Sequence, residues 1–492
     1  MNATQVAWIV LGVVVGLTVG LMQAPQLRNT ETVLPSLATA TGEALMTPVA
    51  SPEAPNMEQQ AADQTGALQL SAELAHTRVL AERESETYLD VQLQAGEARA
   101  ERRPGLNVAL VLDRSGSMDG EPMVRAREAA TAFVQRLQEG DRVSVISFGA
   151  GPRVDMPAMR VDARSRGEIV AAIARIEAMG ATHLSGGVEE ASRQLLEARR
   201  EGSVDRMIVM TDGLPTAGLT GDEELQRLVR GVRSRGISVT TLGFGTSYNA
   251  DLMASLAEEG AGNYSYIARA SDFERAFTEE LDALASTVAT GVTLTLLPSP
   301  GVRFEEVYGM PVDVSTGALS LGLGDLRAQT SRRVMVRVTT RGIPLDGKAA
   351  IRAILTYEDR VDERPVETEL LVEAATTRDD VAMVSSLRPE VMARVQEAIA
   401  LRTLREATRE YARGDQEGAT RRLARERRRM NEAAAKFGLP AEAMDAVADE
   451  VQNVQFKMER ARPSSAAGRS LSFERSERDL ELERGEAAPG RF

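Results

Sequence analysis

Between residues 105 and 287, four short runs, NVALVLD, RVSVISFG, RMIVMTDG and ISVTTLGFG, are apolar at nearly every position and rich in β-branched side chains. A strand with one face in water alternates apolar and polar residues, so a strand apolar throughout must be covered on both faces. The stretches between the runs, such as EPMVRAREAATAFVQRLQEG and DEELQRLVRGVRSRG, repeat apolar residues at helical spacing. This alternation constrains the segment to an α/β Rossmann-like architecture, a mostly parallel sheet with helices on both faces.

The flanks read differently. Residues 67–104 and 288–375 alternate apolar and polar positions and are punctuated by Gly and Pro, as in YLDVQLQ, GVTLTLLP and AAIRAILTYED. Either fragment alone would leave unpaired strand edges, so the two are expected to form one small β-sandwich domain split by the α/β unit. From Pro389 the chain reads as helical. Val391, Val395, Ala398, Leu401, Leu404, Thr408 and Tyr411 make one stripe, Gly414-Asp415 breaks it, and Asp415 suits the N-cap of a second helix. Gly438 and Pro440 stop that helix, and Met444, Val447, Val451, Val454 and Met458 mark a third. Residues 381–460 are therefore expected as a helical hairpin or three-helix unit, and the charged, Ser-rich residues 461–492 as a disordered tail. Residues 23–66, rich in Pro, Thr, Ala, Gln and Glu, are expected as a disordered linker.

Ahead of that linker, Ala7 to Met22 is an uncharged run of 16 residues within an N-terminal hydrophobic segment, 1–22. A bilayer span takes about 20 residues, and a signal-peptide apolar region is usually a little shorter than this run. Met22-Gln23-Ala24 is a poor cleavage site, so a retained anchor is favoured over a cleaved signal. The expected location is membrane-anchored with the bulk of the chain outside the cytoplasm, at the cell surface or in the periplasm, and secreted if the segment is cleaved.

Composition narrows the chemistry. The chain has no cysteine, which removes disulfides, thiol nucleophiles and thiolate metal sites, and only two histidines, His76 and His183, too few for imidazole-rich zinc sites. A net charge of −14 and scarce aromatics argue against nucleic acid as a partner. In open α/β sheets ligands bind beyond the carboxyl ends of the strands. Asp113, Ser115 and Ser117 stand just past NVALVLD, Asp212 at the same point of RMIVMTD, and Thr182 on the loop entering the helix GGVEEASRQLL. Two carboxylates and three hydroxyls are all hard oxygen donors, suited to Mg²⁺, with Mn²⁺ or Ca²⁺ as the alternatives. Gly116 lets the backbone curl so that alternate side chains face one point.

Other readings of these residues fare worse. Asp-x-Ser-x-Ser by itself is more often a helix-capping turn, and Asp119 and Glu121 are first-turn acids that favour the helix dipole. A hydrolase nucleophile elbow needs Gly-x-Ser-x-Gly, which neither Ser115 nor Ser117 has. No phosphate-binding Gly-x-x-x-x-Gly-Lys occurs, and no third glycine completes a dinucleotide site in LGFGTS or LGLGDL. RRLARERRRM at 421–430 reads as the solvated face of a helix, with anionic lipid or an acidic partner as the lesser alternative.

DRSGSM at 113–118, the Thr182 loop and TDG at 211–213 resemble the metal-ion-dependent adhesion site of von Willebrand factor type A domains, as do GDRVSVISFG and GFGTSYNADLMASLAEEGAGNYSYI. The resemblance covers about 105–287. It implies that Ser115, Ser117 and either Thr182 or Asp212 bind the ion directly, with Asp113 and the remaining residue acting partly through water. It also implies a non-enzymatic protein-binding module, adhesive or scaffolding, whose protein ligand supplies an acidic residue to the ion, with no small-molecule substrate. The wider arrangement resembles bacterial membrane-anchored proteins that carry this domain. An assembly subunit of an envelope, secretion or metal-insertion complex is the alternative, and a serine hydrolase a more distant one.

Overall fold

The computed structural model describes residues 61–98, 104–244, 249–267, 269–310, 312–315 and 317–483. The expected anchor or signal at 1–22, most of the expected linker and residues 484–492 lie outside the described residues. Among the described residues no helix is long and apolar enough to cross a membrane.

Four strands come first, β1 (Ala61–Thr65), β2 (Leu68–Leu74), β3 (Arg78–Leu80) and β4 (Ser85–Ala95). The α/β unit begins with β5 (Leu106–Asp113), α1 (Glu121–Arg136), β6 (Arg142–Phe148), β7 (Pro152–Arg160), α2 (Ala163–Ala174) and α3 (Leu184–Ala198). It continues through β8 (Val204–Thr211), α4 (Asp222–Arg233), β9 (Ser238–Phe244), α5 (Ala250–Glu259), β10 (Ala261–Ile267) and α6 (Phe273–Ala285). Strands return as β11 (Thr287–Pro298), β12 (Val302–Val307), β13 (Leu319–Arg327), β14 (Ser331–Thr340), β15 (Lys348–Asp359) and β16 (Arg364–Thr377). Helices follow: α7 (Asp380–Val384), α8 (Pro389–Ala412), α9 (Gln416–Phe437), α10 (Ala441–Arg460) and α11 (Ala466–Glu483).

The central sheet runs β10-β9-β8-β5-β6-β7. Its neighbours are parallel except β7, which is antiparallel to β6. Every residue of β5 is buried, which is why its sequence does not alternate. Val108, Leu110 and Leu112 face a core closed by Phe133 of α1, Ile173 of α2 and Phe277 of α6. Ala109 and Val111 face the opposite core, with Leu195 of α3, Val229 of α4 and Leu256 of α5. Burying each large side chain contributes roughly 1.5–3 kcal/mol, so the two cores dominate the stability of this unit.

Strands from both sides of the α/β unit combine into two five-stranded sheets, β1-β2-β4-β14-β12 and β13-β11-β15-β16-β3. Val91 of β4 stands opposite Val334 of β14, and Leu89 opposite Val336. The inward residues of both sheets, Leu70, Leu93, Leu294 and Leu355 among them, share one apolar core. Period-2 alternation makes this possible, since successive side chains point to opposite faces.

Residues 61–65 correct the expectation of a linker reaching to 66, because they form β1, antiparallel to β2. AADQT shows no apolar alternation, and backbone pairing holds it in place. Gly66 makes the turn at φ +78, where a Cβ would lie 2.4 Å from Asp359 Oδ2. Ala67 N donates to that carboxylate at 2.8 Å, and Leu68 N to the Tyr357 hydroxyl at 3.2 Å.

The α/β unit is fixed to the second sheet at the amino ends of its strands. Asp325 of β13 accepts from Arg206 at 3.4 Å and from Ser238 at 2.8 Å; within the unit, Glu280 of α6 accepts from Thr240 and Asn263 at 2.7 Å each. The opposite, carboxyl-end edge is left to the loops.

Helix α8 lies on the outer face of the first sheet, where Met335 of β14 joins Val395 and Ile399 in one core, and Arg394 reaches Asp90 of β4 at 2.5 Å. Helices α8, α9 and α10 close around Leu404, Leu423, Val451 and Val454. The Asp415 carboxylate caps α9 by accepting from Gly418 N at 2.8 Å. The expected disordered tail at 461–492 is corrected over 466–483, which form α11. Phe473 stacks against Tyr266 of β10 with ring centres 4.9 Å apart, and the fully buried Arg475 pairs with the fully buried Glu450 of α10. The sequence AAGRSLSFERSERDLELE lacks a continuous apolar stripe, because an ion pair does part of the work that apolar residues usually do.

Candidate metal centre

β5 ends at Asp113, whose carboxylate is completely buried. One of its oxygens accepts from Ser115 N at 2.7 Å and the other from the Thr211 hydroxyl at 2.5 Å. Both oxygens are thus committed to holding the turn after β5 against the end of β8. A single turn of 3₁₀ helix, Gly116–Met118, follows; Met118 is buried beneath it while Ser117 faces solvent. Ser115 and Ser117 bring their hydroxyl oxygens to 3.1 Å, and Ser117 donates to Asp212 at 2.7 Å. Arg114 turns aside, its guanidinium against Gly149.

The Thr182 loop is clamped from two directions. Thr182 N donates to the Thr216 hydroxyl at 2.9 Å, and Thr182 O accepts from Thr216 N at 3.0 Å. Gly116 N donates to Gly180 O at 3.1 Å, tying this loop to the serine turn. A Cβ placed on Gly213 would lie 3.5 Å from Thr182 Oγ1 and 3.7 Å from Ser117 Oγ. The structure therefore brings Ser115, Ser117, Thr182 and Asp212 to one small volume, with Asp113 directly behind it. His183 is not part of the cluster. Its ring packs on Gly218, where φ is +69 and a Cβ would stand 2.0 Å from Nε2, so that position requires glycine on both counts.

Burial pushes the Asp113 carboxyl up to about 6, opposed by the hydrogen bonds from Thr211 and Ser115 and assisted by the neighbouring Asp212. Asp212 is also raised, again by burial, against the hydrogen bond from Ser117. Among the described residues, no Lys or Arg forms an ion pair with either carboxylate. Nor do three or more His, Asp or Glu side chains gather anywhere among them to hold a metal, so an ion here would depend on hydroxyl donors. Two carboxylates withdrawn from water without a counter-charge, faced by three hydroxyls, form a donor set that a hard divalent cation would satisfy. The exposed Ser117 leaves one side open.

Two residues given no role of their own by the sequence position the site. Thr211 holds Asp113, and Thr216 holds Thr182. The signal for Thr211 lies in strand register, since Leu112 pairs with Met210 and the next residues on both strands are therefore neighbours. Replacing Thr211 with Val would leave a buried carboxylate oxygen without its donor. The expected loss is about 1–3 kcal/mol, read as a lower melting temperature in metal-free protein. An unchanged melting temperature would show that the hydroxyl does not support Asp113.

A parallel sheet clad on both faces, with its polar loops gathered at one edge, defines a doubly wound α/β domain. Residues 107–282 match the family model of the von Willebrand factor type A domain, and the chain carries that domain. An uncharacterised protein of Escherichia coli (strain K12) is 29% identical over 211 residues, which are 42% of this chain and 36% of that protein. The chain thus spans little more than a third of that relative's length. A second uncharacterised protein, from Synechocystis sp., is 26% identical over 354 residues, covering 69% of this chain and 82% of its own. Among solved structures, a von Willebrand factor type A protein from Catenulispora acidiphila matches with a TM-score of 0.63 over 89% of this chain and 99% of that one, at 19% identity. That likeness is one of fold, and it reaches well beyond the α/β unit.

Proposed function

We propose that the chain is a metal-dependent protein-binding module. Ser115, Ser117 and either Thr182 or Asp212 hold a divalent cation directly, and Asp113 and the remaining residue support it in part through water. Mg²⁺ is the ion favoured by the all-oxygen donor set, with Mn²⁺ and Ca²⁺ as alternatives. The open coordination position receives a carboxylate from a protein partner, and the surrounding loops set which partner is accepted. The observation that carries this reading is the convergence of three hydroxyls on two buried carboxylates that form no ion pair among the described residues. Ion and partner bind with positive coupling, and by linkage each tightens the other equally.

The test is a Mg²⁺ titration of chelated protein by calorimetry, followed by crosslinking pull-downs with and without Mg²⁺. Saturable ion binding that Asp113→Ala abolishes, together with a partner captured only when the ion is present, is the expected outcome. Equal capture in EDTA and in Mg²⁺ would overturn it.

Two further readings accompany this one. The two sheets around the α/β unit are a β-sandwich into which that unit is inserted, as their alternating strands and common core suggest. The apolar run at residues 7–22 anchors the chain in a membrane with the bulk outside the cytoplasm, supported by its length and lack of charge. Retention of the full chain in membranes through alkaline extraction, with protease access from the outer side, checks that placement.

A further inference from the structure

We propose that the outer surface of α9 and the carboxyl half of α10 form a docking face for anionic phospholipid. Helix α9 concentrates six arginines, Arg421, Arg422, Arg425, Arg427, Arg428 and Arg429, in a chain whose net charge is −14. A solvated, self-balanced helix would pair them all with acids, and three are paired. Arg421 meets Glu417 at 2.5 Å, Arg422 meets Glu406 at 2.7 Å, and Arg429 meets Glu426 at 2.6 Å. Arg425 and Arg428 are exposed, three residues apart on one helix face. Neither they nor Arg427 has a carboxylate within ion-pair distance among the described residues.

The neighbouring helix completes the face. Phe456 of α10 is 50% exposed, and the Arg460 guanidinium lies 3.8 Å from its ring centre. Between the helices is a depression of about 320 Å³ lined by Arg427, Gln452, Asn453, Gln455, Phe456 and Glu459. Acids also border this face, and the exposed Asp449 lies one turn before Gln452 and Asn453. Glu417 is held by Arg421, Glu459 accepts from the Gln455 amide at 2.8 Å, and Glu432 stands one turn beyond Arg428.

Unpaired guanidinium groups present planar forks that match phosphate oxygens, whereas an exposed aromatic ring is suited to the headgroup level of a bilayer. A shallow depression with an arginine and three amides beside such a ring, and one carboxylate at Glu459, has the size and donors for a phosphodiester headgroup. An acidic protein surface would use the guanidinium groups without needing the exposed ring, so lipid fits the combination better. Each basic group near an anionic surface strengthens binding severalfold, so removing two should weaken it roughly thirtyfold.

The experiment measures partitioning of the full chain onto phosphatidylcholine vesicles, with and without phosphatidylglycerol. The uncharged run at residues 7–22 contributes alike to both, so the difference between vesicle types is the quantity read. Wild type should prefer the anionic vesicles by at least tenfold, and high salt should erase that preference. Arg425→Glu/Arg428→Glu, at two exposed positions with no described carboxylate within ion-pair distance, should lose the preference with an unchanged melting temperature, and Phe456→Ser should weaken anionic binding severalfold. Equal partitioning of wild type onto both vesicles, or an unaltered preference in the double variant, overturns the proposal. So does binding of polyglutamate in place of vesicles, which would assign the face to an acidic protein.

Discussion

Asp113→Asn should raise the melting temperature of protein stripped of metal by EDTA at about pH 8, and the variant should gain nothing when magnesium is restored. The two effects have one cause. Asp113 is completely buried and has no cationic partner among the described residues, and burial pushes its carboxyl up to about 6 from the ordinary 3.8. A raised folded value means that its contribution to stability is fully present below about pH 4 and is lost as the pH rises through about 6. A shift of about two units corresponds to about 3 kcal/mol, which metal-free wild type forgoes at alkaline pH and an amide does not. The amide oxygen can still accept from Ser115 N, and its NH₂ can donate to the Thr211 hydroxyl. In wild type, magnesium at a hundred times its Kd should stabilise by about 2.7 kcal/mol, or roughly 5–10 °C for a domain of this size. Thermal melts of both proteins between about pH 4 and pH 8, with EDTA and with Mg²⁺, check the pair of effects. A variant that melts below wild type in EDTA at every pH would refute the account of the buried charge. One that retains the magnesium shift would remove Asp113 from the ion site.

Arg475→Leu should cost about 3–5 kcal/mol, the second large effect. Arg475 and Glu450 are each entirely buried and paired, and Arg478 approaches the same carboxylate at 3.9 Å. Removing Arg475 deprives a core carboxylate of the guanidinium that pairs with it inside the fold, whereas Arg475→Leu/Glu450→Leu removes both charges together and should recover most of the loss. The double-mutant comparison, read by chemical denaturation, separates an uncompensated charge from lost packing. Limited proteolysis after residue 460 should accelerate in the single variant and not in the double one. Equal stability of the two variants would show that packing, and not the stranded charge, dominates there.

The parallel sheet was legible because each strand buries both faces, and that demand writes itself into consecutive residues such as Val108 to Leu112. The loop residues Asp113, Ser115, Ser117, Thr182 and Asp212 were legible because strand ends are where such a sheet gathers side chains. Thr211 and Thr216 were not, since their roles depend on which strands and loops adjoin. Helix α11 escaped for another reason. Its attachments include Phe473 on β10, Leu471 in the helical core and a buried ion pair with a residue 25 positions away, and no continuous local periodicity records them. β1 is similar: the carboxylate that organises its turn is Asp359, 292 residues along the chain from the amide it receives.

The α/β unit enters from β4 and leaves directly into β11, both of them strands of the flanking sheets. The amino end of β5 and the carboxyl end of α6 both lie on the side away from the loops that would meet a partner, and α6 passes directly into a hydrogen-bonded strand. Tension applied at the loop cluster would pass on that side into β11, which is paired with β13 on one edge and β15 on the other. The strand that receives the unit's carboxyl end is thus hydrogen-bonded on both edges, so a pull on the loops would load paired backbone.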